Sequence, residues 1–139
     1  MLHRSVKDGL GAIAAPHRGC FADDIRTSFG DSLDIDTELK PQYPQANRWD
    51  YLLGHDPTRQ LIAVETHSAR NDQVRRVIDK REAALTQLRD HLRDGARVSR
   101  WLWVASGRVD LHPLEPATLR LAQNGIKFVG RQIKSGDIA

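Results

Sequence analysis

The chain reads as an α/β protein with a mixed central β-sheet flanked by helices. Three observations carry that reading. Residues 48–54 and 61–67 show two-residue alternation on either side of a turn, the pattern of an antiparallel hairpin. From Asn71 onward the apolar spacing becomes helical and stays so for more than twenty residues. A nearly all-apolar run, Trp101 to Ala105, then reads as a strand buried on both faces. Together they give the order helix, strand, hairpin, long helix, buried strand, helix, strand, with one domain over 1–139 and its core over about 20–130.

Taken in order, residues 19–29 predict a short helix, with Phe21, Ile25 and Phe29 on one face and Gly30 ending it. In DSLDIDTELK, Leu33, Ile35 and Thr37 alternate with acids, which predicts a half-exposed strand. KPQYPQAN is a connection broken by two prolines. RWDYLLG then places Trp49, Tyr51 and Leu53 on one strand face and Asp50 and Leu52 on the other. After the GHDPTRQ turn, Leu61, Ala63, Glu65 and His67 share one side of the next strand, and Ile62, Val64 and Thr66 the other. The long helix predicts a buried stripe of Val74, Val77, Ile78, Leu85, Leu88 and Leu92, capped by Asn71 or Asp72 and ended by Gly95. Its other face carries Arg75, Arg76, Lys80, Arg81, Arg89 and Arg93. PLEPATLRLAQNG predicts a second helix and residues 126–130 a last short strand.

Hydrophobic residues make up 40% of the 139 and charged residues 28%, which excludes a disordered chain. The apolar runs are far too short to span a bilayer, so no membrane partner is expected. The N-terminal Ala/Gly-rich block is too weak for a secretory signal, and the expected location is cytoplasmic. The single cysteine, Cys20, fits a reducing compartment and reads as a small buried apolar residue. Charge is uneven: residues 1–69 hold 7 Lys/Arg against 10 Asp/Glu, and residues 70–139 hold 14 against 8. A basic half beside clustered acids suits a polyanion, and equally suits a solvated arginine-rich surface.

The stretch LIAVETHSA carries the chemistry. An acid and a histidine on one face of an apolar strand are costly to bury without a partner. Asp50 lies on the neighbouring strand, so the hairpin can bring Asp50 and Glu65 together. Two carboxylates beside a backbone carbonyl form the hard oxygen set that Mg²⁺ or Mn²⁺ prefers.

Asp50 followed by Glu65-Thr66-His67 resembles the PD-(D/E)XK, or restriction-endonuclease-like, nuclease superfamily over roughly residues 20 to 105. That superfamily places an Asp on one hairpin strand and a (D/E)-X-K tripeptide on the next, with a helix after it. The resemblance implies metal ligation by Asp50 and Glu65, and hydrolysis of DNA phosphodiesters. His67 stands where the family has Lys, and would orient or activate water. Lys80, about three turns into the following helix, is the second-choice replacement for that lysine. Asp23 and Asp24 match the extra acid some members carry, and also match ordinary surface charge. Arg70, Arg75 and Arg76, just beyond the tripeptide, would meet substrate phosphates.

The rival expectation is a degenerate nuclease fold that binds nucleic acid or a protein, with a homodimer as one arrangement. A third is an unrelated α/β protein in which the two acids are incidental. A zinc site from His55 and His67 lacks tight ligand spacing. Trp101 and Trp103 read as core residues, leaving Tyr43 and Trp49 as the better candidates for base stacking.

Overall fold

The computed structural model describes residues 6–89, 91–92, 96–111 and 115–138. Its centre is a six-stranded mixed sheet whose strands lie side by side in chain order: β1 (Lys7–Asp8), β2 (Phe29–Asp34), β3 (Tyr51–His55), β4 (Gln60–Ala69), β5 (Val98–Val109) and β6 (Ile126–Phe128). The first four are antiparallel neighbours; β4–β5 and β5–β6 run parallel. A parallel pair needs a crossover. The helix α2 (Val74–Leu88) supplies it between β4 and β5, and α3 (Pro116–Gln123) between β5 and β6. Two short helices, α1 (Ile35–Leu39) and α4 (Ser135–Ile138), complete the set with 3-10 turns at Ala15–Cys20, Asp23–Ser28 and Asn71–Gln73. No helix among the described residues is long and apolar enough to cross a membrane.

Each sheet face buries its own core. Ala63 of β4 and Trp101 and Trp103 of β5 pack under α2 with Trp49, Leu52, Val77 and Leu88. Ile62 and Val64, with Leu102 and Val104, face the other way against Phe21, Ile25, Phe29 and Ile133. The two-residue period of a strand thus sorts β4 and β5 as expected, and both tryptophans of β5 are core residues. Ile13 and Ile138 join the second core from near the two ends of the chain.

Four local expectations need correction. Residues 19–29 do not form one helix. Phe21 bridges to Ile133, and Asp23–Ser28 is a 3-10 turn that still buries Ile25. Gly30 ends nothing. It lies inside β2 beside a register shift, where a Cβ would collide with the Asp56 carboxylate. The strand expected through Thr37 stops at Asp34, whose Oδ1 accepts the Thr37 N–H (3.0 Å) and so caps α1. Trp49 does not share the Tyr51 face. Regular β3 geometry starts at Tyr51, and Trp49, fully buried, packs edge-to-face on Trp101 in the opposite core. That removes it as a stacking surface for bases; Tyr43 stays half-buried.

A further correction concerns α2, which matters most for the site. Among the described residues it ends at Leu88, and the expected Gly95 stop, with Asp90 and Arg93, lies outside them. No side chain of Asn71 or Asp72 caps it; those residues form the preceding 3-10 turn. Its buried face is Val74, Val77, Ile78, Ala84, Gln87 and Leu88, while Leu85 is 42% exposed. A step from 84 to 85 turns a helix by about 100°. Lys80, three residues after Val77 and four before Ala84, is therefore turned toward the sheet and is not part of the outer arginine face.

Candidate functional site

The hairpin register determines where the two acids meet. Tyr51 pairs with Val64, and the next step back along β3 brings Asp50 level with Glu65. Regular pairing stops there, and side chains take over the backbone bonds. The Asp50 Oδ2 accepts the Thr66 N–H (2.9 Å) and the Thr66 hydroxyl (2.8 Å). In return the Asp50 N–H donates to Glu65 Oε1 (3.1 Å). The Asp50 carbonyl accepts the N–H of Ile35 (2.9 Å), at the start of α1. Both acids are thus fixed through backbone groups of β4, α1 and the end of β3.

Glu65 is fully buried, and its second oxygen, Oε2, takes a short contact from the Lys80 ammonium. Lys80 is itself only 12% exposed on its side chain. The Glu65 carboxyl is pushed up to about 8, first by burial and second by the nearby Asp50 charge. Lys80 and the Asp50 N–H act in the opposite direction. The buried Glu65 carboxyl thus has the Lys80 ammonium on one side and the Asp50 N–H on the other.

Hard divalent cations take oxygen ligands of the kind Asp50 and Glu65 carry. A carboxylate offers about four lone-pair sites, and the hydrogen bonds described use only part of them. Asp50 Oδ1 accepts no hydrogen bond among the described residues. The mutual repulsion that helps raise Glu65 is what a bound dication relieves. No group of three or more His, Cys, Asp or Glu side chains converges on one point among the described residues. Mg²⁺ commonly binds through one or two carboxylates plus phosphate and water.

The other expected site residues fall around this centre. His67 shares the Glu65 face of β4, and its Nε2 bonds Gln73 Oε1 (2.9 Å) across the turn into α2. Its carbonyl accepts the Trp103 indole N–H (3.2 Å), which ties this end of β4 to its neighbour β5. Arg70 pairs with Asp72 (3.1 Å) and Arg75 with Asp79 (3.2 Å). Arg76 is exposed on the same stretch, with no ion pair to it among the described residues. Asp23 pairs with Arg26 on the surface, and Asp24 is exposed. His55 is the last residue of β3, bonded to Thr58 (2.7 Å) at the far end of the hairpin from His67. The two histidines cannot share a zinc ion.

Two structural features around this centre escaped the sequence pattern. One is the inward turn of Lys80, visible only if Ala84 rather than Leu85 is taken as apolar stripe. The other is His17, on the Ala15–Cys20 turn, with Nδ1 2.8 Å from the Tyr51 hydroxyl and 3.3 Å from the Thr66 hydroxyl. It precedes Asp50 by over thirty residues, and no local motif links them. No family model matches the chain, and neither does any curated protein or solved structure.

Proposed function

We propose that this chain is a Mg²⁺- or Mn²⁺-dependent nuclease-like domain of the restriction-endonuclease type, hydrolysing DNA phosphodiesters. The observation that supports this reading best is the buried contact between Lys80 and Glu65. It sets an ammonium beside the second acid of the Asp50/Glu65 pair, the job the motif lysine has in the family this chain resembles. Lys80 reaches that position from α2, so the histidine at the motif position is not a missing part.

In this reading Asp50 Oδ1 and the Glu65 carboxylate hold the cation. When bound, the cation polarises a phosphate oxygen and acidifies water. Lys80 holds Glu65 in place and offsets negative charge as the phosphorane-like transition state develops. Thr66 fixes the Asp50 carboxylate through two hydrogen bonds, so little reorganisation is required. Arg76, together with Arg70 and Arg75, meets phosphates flanking the scissile one.

The test is cleavage of linear duplex, single-stranded and supercoiled DNA in Mg²⁺ and in Mn²⁺. The wild type cuts at least one substrate; Glu65→Gln and Lys80→Met lose at least a hundredfold in rate while still folding. Wild-type activity retained in both variants would remove this site from the reaction. One observation favours a second reading, a binding module without hydrolysis: Glu65 is fully buried with both oxygens engaged. Salt-sensitive DNA binding with no cleavage in either metal would select it.

A further inference from the structure

Resting on that reading, we propose that Arg131, anchored on a bulge of β5, binds a backbone phosphate of the DNA strand that passes the acids. Between His67 and Ala69, β4 advances two residues while its partner β5 advances four, from Ala105 to Val109. The extra residues make a bulge, a device that re-aims chain and side chains beside sites. At its centre Gly107 is exposed and has φ +111°, a conformation that favours glycine. The nearest atom a Cβ there would meet is that of Ser68, 4.0 Å away. The Gly107 carbonyl accepts an Arg131 Nη1–H (3.0 Å).

Arg131 is fixed from both ends. Its backbone follows Gly130, whose carbonyl accepts the Ala105 N–H (2.7 Å) and so continues the alignment of β6 on β5. Its guanidinium is tied down through Nη1 alone. The Nε and Nη2 edge, the one that pairs with a phosphate through two parallel bonds, takes no partner among the described residues. No acid pairs with Arg131 among them either, whereas Arg108, on the bulge itself, gives its Nε to Asp110 (2.9 Å). Because β4, β5 and β6 run parallel and β3 antiparallel to them, the bulge, Arg131 and Asp50 all lie at one end of the sheet. Ser68, beside the bulge, is three residues beyond Glu65, about 10 Å along a strand. At about 3.4 Å of helix axis per phosphate, that spans about three phosphates. A strand with its scissile phosphate at the acids therefore brings a neighbouring one to Arg131. Arg120, exposed in the last turn of α3, lies at the opposite end of β6.

The test is binding of a labelled linear DNA duplex in metal-free buffer over a range of salt, paired with cleavage in Mn²⁺. Arg131→Ala is expected to weaken binding about tenfold at low salt and to lower the slope of log affinity against log salt by about one. Arg120→Ala makes the same charge change and is expected to stay within about twofold of the wild type. Arg131→Lys keeps the charge without the fork, and is expected to bind at least about threefold more weakly than the wild type. Wild-type affinity in Arg131→Ala, or equal losses in Arg131→Ala and Arg120→Ala, would overturn the proposal; cleavage by the wild type and not by Glu65→Gln would then leave the nuclease reading standing. Wild-type affinity in Arg131→Lys would overturn the two-bond contact. No cleavage by the wild type, with the Arg131→Ala loss intact, would sink the nuclease reading and keep the phosphate contact. No binding of DNA by the wild type at low salt would overturn both.

Discussion

Glu65 is the residue on which the physical argument turns. An acid whose folded pKa lies near 8, above its ordinary 4.5, holds its proton more tightly folded than unfolded. The stability this contributes is complete below the unfolded value and is lost as pH rises from about 4.5 toward 8. Thermal melts across that window should therefore show the wild type losing ground against Glu65→Gln, by up to about 1.4 kcal/mol per pH unit. A pH-independent difference would mean that Glu65 is not held protonated. Lys80→Met removes the counter-charge, so its cost should be small at low pH, where Glu65 is neutral. It should approach about 3–5 kcal/mol once Glu65 ionises, the usual cost of half a buried ion pair. His67 gives the opposite expectation. Its imidazole bonds Gln73 and not the acids, so His67→Ala should keep cleavage within about tenfold while Lys80→Met does not. Equal losses in the two variants would return the lysine's role to the motif position.

The elements explain why some of this was readable in sequence and some was not. Strand alternation assigns both faces of β4 correctly, because both are buried and each residue type suits its side. It fails at Trp49, one position before regular β3 pairing starts, where chain direction and not period decides the side. Helical spacing located α2, yet one residue decided its rotation. Ala84 is small enough to sit against the sheet, and Leu85, though more apolar, faces out. That turn carried Lys80 from an arginine-rich face to the buried Glu65 carboxyl. The long-range pairing of His17 with Thr66 and Tyr51 leaves no periodic trace at all, since only the folded sheet brings them together. The outer face of the helix start has its own consequence. Asp79 offsets Arg75, and Asp72 offsets Arg70, whereas Arg76 projects alone among the described residues. If DNA passes there, Arg76→Ala should weaken binding more than Arg75→Ala, and the gap should shrink as salt is raised. Binding assays at low and high salt check this; equal effects would remove the helix start from the interface.

Across the whole molecule, the site sits where the sheet changes from antiparallel to parallel order. β3 and β4 form the hairpin that holds Asp50 and Glu65, and α2 crosses from β4 to β5 carrying Lys80. The two cores hold this junction from opposite sides, with Trp49, Trp101 and Trp103 beneath α2 and Tyr51 and Val104 on the other face. Trp103→Ala should therefore lower stability by about 3–5 kcal/mol and loosen the His67 strand end, through the lost indole bond to the His67 carbonyl. The central claim, that Asp50 and Glu65 with Lys80 form a cation-dependent hydrolytic centre, is tested most directly by calorimetric titration of Mn²⁺ at pH 7, in buffers of different ionisation enthalpy. Saturable binding is expected in the wild type, with release of about one proton as the cation displaces that of Glu65, and with both signals lost in Glu65→Gln. No saturable binding at millimolar metal, or binding that Glu65→Gln leaves intact, would contradict it.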